Sequence, residues 1–335
     1  MNIKERMGEF QSEFNTHFEN KIQDILKEQR DFHQVATDLD EPLKDFILNY
    51  TQGGKRVRPF LIYFFCGEKL KNKDNLFNAC IAVELFHLAA LIHDDIMDDS
   101  KVRRGVPTVH VATQGYAKEN QHLGRDIALL LGDMFLVASL DTSSKLPREI
   151  FAELSSMMQR TIRGQYLDSF GMNVPLGELS KDEVMNRHLL KTAWYTFGSP
   201  ARIGSLLKRG GCSPEELEVL TSTMNDLGLL YQIRDDIIDC IDNNSGKSLF
   251  GDIFENQTTW VTLYIKEHYP DIFKKIVEVK DKDPEVLKEI FSQIDLQTPY
   301  QAEYQKRYDM IDDIGDEYSE LKKNAHEVLE LLKFK

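Results

Sequence analysis

The chain has 335 residues, 41% of them hydrophobic, which is enough for one large domain or two ordinary ones. Its 41 basic residues against 55 acidic ones leave a net charge of −14. That balance argues against nucleic acid as a partner, because phosphate backbones attract basic surfaces, but it leaves room for small anionic substrates where positive charge is gathered locally. Four scattered cysteines, Cys66, Cys80, Cys212 and Cys240, lack CxxC spacing. They exclude a structural zinc site or disulfide framework and fit a reducing cytoplasm.

In chain order, the N-terminal MNIKERMGEFQSEF has no apolar core, so no signal peptide is expected. No uninterrupted run of roughly 18 apolar residues follows, so no stable membrane insertion is expected. FQSEFNTHFENKIQDILKEQ repeats apolar residues three and four apart and predicts an amphipathic helix. LKDFILNY predicts another, and FLIYFFCGEKL, apolar nearly all round, a buried one. Breakers fall at TQGGKRVRP, RRGVPTVH, GMNVPLGELS, LKRGGCSPEEL and DNNSGKSLFGD. Alternating strand patterns are scarce and no Ser/Gly-rich linker interrupts the chain. The expectation is an all-α protein, a single domain over residues 1–335 with roughly a dozen helices. Trp194 and Trp260 read as core, Ile96 and Met97 as helix filler, and His93 is left without a role.

One acidic motif occurs twice. Positions 94–98 read DDIMD and positions 235–239 read DDIID, each after an apolar helical run. Helical residues four apart lie about 40° apart around the axis, one turn up. Asp94 therefore shares a face with Asp98, and Asp235 with Asp239. Carboxylates so placed repel unless cations join them. Mg²⁺ suits the arrangement, since it is held by one or two carboxylates together with waters and substrate phosphates. Two such helix ends facing each other would clamp a diphosphate through several metals.

Basic residues complete an anion site. GGKRVRP sets Lys55, Arg56 and Arg58 after two glycines that allow close backbone approach. Arg103 and Arg104 follow the first aspartate motif, Lys191 lies in LLKTAWYTFGSP, and Lys247 in NNSGKSLFGD. His87, seven positions before Asp94, points to nearly the same helix face. The apolar helix before Asp94 would line a pocket for a hydrocarbon tail.

These blocks resemble the trans-isoprenyl diphosphate synthases, the polyprenyl synthetase family, geranylgeranyl and farnesyl diphosphate synthases among them. Five separated blocks occur in the family's order, from GGKRVRP at position 53 to ENQTTW ending at position 260. The resemblance implies an isoprenoid synthase bundle of helices around a central cavity, usually homodimeric. It implies that isopentenyl diphosphate is bound by Lys55, Arg58, His87 and Arg104. It implies that Asp94, Asp95, Asp98, Asp235, Asp236 and Asp239 bind three Mg²⁺ ions. Arg103 and Lys247 would contact the allylic diphosphate, and Lys191, Thr192 and Tyr195 match the family's KTxxY block, with Lys191, Tyr195 and Gln232 binding substrate. Gln165 and Asp168 would stand behind the metals. As the allylic C–O bond ionises, Thr192 Oγ, the Gln232 side-chain oxygen and the Lys191 main-chain carbonyl would face the cation. Pyrophosphate would take the proton. Gln257 departs from the pattern, standing where many members carry a second lysine. Tyr231 replaces a frequent phenylalanine, and LLKFK lacks the arginine-rich tail of some relatives.

The resemblance also bears on product length. Ala89 and Ala90 occupy the family's length-setting positions, where fifteen-carbon synthases commonly carry a bulky aromatic. Phe86 lies one turn deeper, about 5.4 Å along the helix. A floor there predicts a twenty-carbon product, geranylgeranyl diphosphate. The alternative is that Phe86 points into the core and the floor comes from another helix, for example from Phe135 or Leu136; the alternative products are farnesyl or longer-chain diphosphates. A terpene cyclase would lack the second DDxxD and the GGKRxRP block. A regulatory subunit would lose one or both aspartate motifs.

Overall fold

A computed structural model describes residues 2–30, 37–67, 70, 72–115, 120, 122–208, 211–241, 249–279 and 284–334. Among these residues the chain is helical apart from one short ribbon, so the all-α expectation holds. The helices outnumber the expected dozen, because several predicted runs break at turns. The chain divides into two compact units, Met1–Ser155 with Ile203–Gly211, and Ser156–Arg202 with Cys212–Lys335.

The first unit begins with α1 (Ile3–Arg30), which buries Phe10, Phe14, Phe18 and Ile22 at helical spacing. Phe14 stacks between Phe10 and Phe18 at centroid distances of 5.4 and 5.6 Å. Each such side chain contributes about 1.5–3 kcal/mol on burial. Next come α2 (Thr37–Thr51) and α3 (Val57–Cys66). Sequence periodicity carries the α3 helix on to Leu70. In the structure it stops at Gly67, whose φ of 63° only glycine adopts at little cost.

α4 (Lys73–Met97) starts at Asn72, whose side chain accepts from the backbone N–H groups of Asp74 and Asn75. It packs against α3, against α5 (Val109–Gln114) and most extensively against α6 (Leu123–Ser144). It is long and apolar enough to cross a membrane, yet 78% of its most apolar window is buried in the protein. It also carries Glu84 and Asp95, both buried and paired. These are the marks of a core helix. The ribbon of β1 (Val102–Arg103) and β2 (Val106–Pro107) pairs Arg103 with Val106. Its two central residues, Arg104 and Gly105, have φ of 53° and 81°, as a tight two-residue hairpin requires.

α7 (Arg148–Gly171) begins in the first unit and continues into the second. There follow α8 (Lys181–His188), opened by a Ser180–Glu183 capping box, and a ten-residue π-helix, Leu189–Gly198. α9 (Ser199–Leu207) crosses back into the first unit. α10 (Pro214–Ile241) packs along the π-helix. α11 (Gly251–Phe254), α12 (Trp260–His268), α13 (Pro270–Val279), α14 (Pro284–Phe291), α15 (Gln297–Asp312) and α16 (Ser319–Glu330) complete the second unit. Trp260 is core, as expected. Trp194 is only half-buried and carries the Arg160 guanidinium over its ring at 4.1 Å. None of the four cysteines forms a disulfide.

Candidate active site

The C-terminal end of α4 carries the first aspartate motif. Asp94 and Asp98 lie one turn apart and are half-buried, and the Asp98 N–H donates to the Asp94 carbonyl at 2.9 Å. Asp95 turns inward and is 1% exposed. One of its oxygens accepts from Tyr50 Oη at 2.7 Å, the other from Arg103 Nε at 2.6 Å. Both oxygens are thus engaged by protein donors. Burial and the Asp95 carboxylate push the Tyr50 hydroxyl pKa up, so tyrosine keeps its proton and donates. Arg103 Nη2 also reaches Asp94 Oδ2 at 3.4 Å. Asp95 therefore orients Arg103 beside the outward carboxylates.

The hairpin explains why two arginines stand in sequence. Arg103 ends β1 and points to α4, whereas Arg104 sits at the turn, and its Nη1 lies beside Gly54. A Cβ on Gly54 would stand 3.0 Å from Arg56 Nη1 and 3.2 Å from Arg104 Nη1, so this glycine makes room for two guanidinium groups. Arg58 Nη1 lies 3.2 Å from His87 Nε2. Burial and the charges of Arg58, Arg104, Arg103 and Arg56 hold the His87 pKa well below the usual histidine value. The ring is neutral at pH 7, set among arginines in a protein of net charge −14. Lys55 is exposed beside them.

Arg56 does not serve as the phosphate cation that its place in GGKRVRP suggests. It is 7% exposed and donates to Glu84 at 2.6 Å, Asn15 at 2.9 Å and the Thr51 carbonyl at 2.7 Å. Its guanidinium also lies over the Phe18 ring at 4.8 Å. It anchors the loop that presents Lys55 and Arg58.

The second motif, near the end of α10, repeats the first. Asp235 is exposed and Asp239 half-buried, one turn apart. Asp236 is 2% exposed, and accepts from Gln232 Nε2 at 2.8 Å and from the Trp260 N–H at 3.2 Å. It thereby meets the N-terminus of α12, where a carboxylate is favoured. Burial, then Asp252 and, more weakly, Asp235, raise its pKa well above the usual carboxylate range. Like Asp95, it is occupied by protein donors. With its amide nitrogen on Asp236, Gln232 keeps its oxygen as the outward dipole end. The Asp239 carboxylate accepts from the Asp252 N–H at 3.2 Å. Lys247 lies outside the described residues.

Lys191 and Thr192 sit in the π-helix, both half-buried, with buried Tyr195 one turn on. Lys191 Nζ binds one oxygen of Asp168, while Arg187 Nε stands 3.3 Å from the other. Arg187 also donates to Gln257 Oε1 at 2.8 Å and to the Thr258 carbonyl. Gln257 is therefore a buried crosslink, 4% exposed, with Arg187 where a lysine at 257 would be repelled. His188 Nε2 lies 3.8 Å from Asp236. Burial, then Arg187 and Lys191, push His188 down to about 3. Such a histidine stays neutral in the fold while the unfolded chain takes up a proton. Its contribution to stability is lost as pH falls from about 6.5. His188→Gln should therefore flatten the acid limb of the urea midpoint plotted against pH, between about 6.5 and 4. An unchanged limb would place the acid sensitivity elsewhere.

Each motif keeps two carboxylates that are not fully buried, and among the described residues no three acidic, histidine or cysteine side chains form a ready-made cage. Mg²⁺ fits such paired hard oxygens, because it completes its shell with waters and substrate phosphates.

A model of the polyprenyl synthetase family matches residues 40–294. The chain belongs to the polyprenyl synthetase family. The match extends the resemblance of residues 53–260 in both directions. The chain is 30% identical over 249 residues, 71% of each protein, to the short chain isoprenyl diphosphate synthase of Methanocaldococcus jannaschii. It is 28% identical over 282 residues to the geranylgeranyl diphosphate synthase of Sulfolobus acidocaldarius, covering 81% of this chain and 79% of that one. A geranylgeranyl pyrophosphate synthase from Corynebacterium glutamicum, solved with isoprenyl diphosphate and magnesium, shares its fold at a TM-score of 0.75 and 25% identity. That likeness covers 95% of this chain and 98% of the other. Within this polyprenyl synthetase, sequence patterns give no sign of Tyr50, Arg187 or the π-helix. Glu84, a charge inside an apolar helix, is the one signal that was available.

Proposed function

We propose that this prenyltransferase condenses isopentenyl diphosphate with an allylic diphosphate, head to tail, and that its main product is all-trans geranylgeranyl diphosphate. The observation that carries the reading is neutral His87 with Arg58 at 3.2 Å and further arginine charges near it, on the helix that ends in the first aspartate motif, in an acidic protein. Asp94, Asp98, Asp235 and Asp239 are the metal ligands in this reading, and Asp95 and Asp236 hold the motifs in place. Bound Mg²⁺, three ions by the family pattern, would neutralise the departing diphosphate. Arg103, fixed by Asp95, binds the allylic diphosphate together with Lys247, and Tyr195 belongs to the substrate-binding block of Lys191 and Thr192. Lys55, Arg58, His87 and Arg104 bind isopentenyl diphosphate, His87 as a neutral partner. Thr192, Gln232 and the Lys191 carbonyl turn negative dipole ends to the allylic carbon as its bond to diphosphate breaks. The relatives named geranylgeranyl diphosphate synthase support the twenty-carbon product.

Ala89, Ala90 and Phe86 set the tail length. Phe86 and Ala89 are buried and Ala90 half-buried, one turn from Phe86 on α4. Incubation with Mg²⁺, isopentenyl diphosphate and a set of allylic primers, followed by chromatography of the dephosphorylated alcohols, tests both parts. The wild type should give the twenty-carbon alcohol, and Ala90→Phe the fifteen-carbon one. No chain extension would defeat the activity, and an unshifted product in Ala90→Phe would defeat the floor. A homodimer is part of the proposal. α6 leaves Leu129, Leu130 and Val137 exposed, and α7 in the other unit leaves Ile162, Tyr166 and Phe170 exposed.

A further inference from the structure

We propose that Gly164 on α7 and Gly228 on α10 are positioning residues for prenyl transfer, gripping the π-helix so that Lys191 and Thr192 are fixed. The inference rests on the prenyl-transfer reading above. Ten residues of π-helix is a long stretch of a conformation usually seen as single turns at functional sites. Its last bond runs from the Ser199 N–H to the Trp194 carbonyl, five residues back. The conformation leaves polar groups unserved. In the α-helices, Thr161 and Thr223 donate to the carbonyl four residues earlier, at 2.9 and 2.8 Å. Thr196 in the π-helix is 1% exposed, and its hydroxyl finds no partner. A buried unsatisfied group destabilises the fold, so neighbouring contacts must hold this backbone.

The flanking helices supply them through glycine. A Cβ at Gly164 would stand 2.3 Å from the Lys191 nitrogen and 2.6 Å from its Cα. A Cβ at Gly228 would stand 2.6 Å from the Ala193 Cα and 2.7 Å from its Cβ. The first meets backbone, which cannot rotate away, and the second meets the Cα and the fixed methyl. Restoring ordinary carbon contacts would move the π-helix by roughly 1 Å at either place. Asp168 lies one turn beyond Gly164 on α7 and takes the Lys191 ammonium. α7 therefore holds Lys191 twice, its main chain at Gly164 and its side chain at Asp168. α10 closes on the opposite neighbour, Ala193. A displacement of about 1 Å in a catalytic group can cost about a hundredfold in rate.

The test compares full-length Gly164→Ala and Gly228→Ala with Gly124→Ala. Gly124 is equally crowded, its added Cβ being 2.2 Å from the His110 carbonyl oxygen, but it touches no part of the π-helix. Turnover, KM and thermal midpoint are measured for each. Trp194 emission is read in a Trp260→Phe background, which leaves Trp194 as the single tryptophan. Both π-helix variants should lose about a hundredfold in kcat with smaller changes in KM, and their Trp194 emission should shift. Gly124→Ala should melt earlier and keep kcat within about threefold. Should Gly164→Ala not fold, Gly228→Ala with Ala193→Gly removes the 2.7 Å contact and should regain part of the kcat lost by Gly228→Ala. Unchanged kcat in the π-helix variants, an equal loss in Gly124→Ala, or no regain in the double variant overturns the proposal. A wild type without prenyl product defeats the activity alone, and the Trp194 emission still decides whether the glycines grip the helix.

Discussion

Asp94→Ala and Asp235→Ala should each lower prenyl-transfer turnover by about 100- to 1,000-fold or more, because each removes electrostatic stabilisation aimed at a departing diphosphate. The expected fold is unchanged. Asp235 is exposed, and Asp94 is half-buried, with a 3.4 Å contact to an Arg103 that Asp95 still holds. Surface-like substitutions of this kind move stability by about 0.5 kcal/mol or less. The residual activity should need more Mg²⁺ to reach half its maximum. Asp95→Ala should behave otherwise. It removes the acceptor of the Tyr50 hydroxyl and the nearer carboxylate of the Arg103 guanidinium together, so thermal stability should fall along with turnover. Steady-state rates against Mg²⁺ concentration, with a melting curve for each variant, separate the two behaviours. Turnover near the wild-type value in Asp94→Ala or Asp235→Ala would remove those residues from the metal site.

The largest loss of stability should come from Glu84→Ala. Glu84 and Arg56 are a buried pair, 4% and 6% exposed at the side chain, joined at 2.6 Å. Removing one partner leaves a cation in the interior, at a cost of about 3–5 kcal/mol. Asn15 and the Thr51 carbonyl still accept from Arg56, but neither carries charge. Glu84→Gln preserves the shape and an acceptor, and should lose less. Urea midpoints at constant slope give the difference directly. The same variant should also raise the KM for isopentenyl diphosphate, since Arg56 anchors the loop bearing Lys55 and Arg58. A loss of about 1 kcal/mol or less would mean that water reaches the guanidinium when Glu84 is gone.

What could be read from the sequence was local. The apolar spacing of Phe10, Phe14, Phe18 and Ile22 forecasts one buried stripe, and α1 buries it. Asp94 and Asp98 share a face because helix geometry requires it. What escaped depends on partners distant in the chain. Asp94 and Asp95 are identical in type, and only Tyr50 and Arg103 decide which one turns inward. Arg56 reads as one more loop cation until Glu84, twenty-eight residues on, is placed against it. LLKTAWYTFG has a helical period whether it winds as α or π, and the choice is tied to glycines on two other helices. The VRRGVP hairpin leaves no mark in the sequence pattern, because two-residue strands are too short to show alternation.

That hairpin also limits how this surface can change through evolution. Loops at a protein surface ordinarily absorb insertions and deletions without harm. Here Arg103 faces Asp94 and Asp95 while Arg104 lies by Gly54, and the two differ only by one step across a tight turn. Adding or removing a single residue reverses every side chain beyond it. It would carry one arginine to the place of the other and leave the buried Asp95 without its cation. A segment that looks open to drift is therefore fixed in length, more firmly than many of the helices around it.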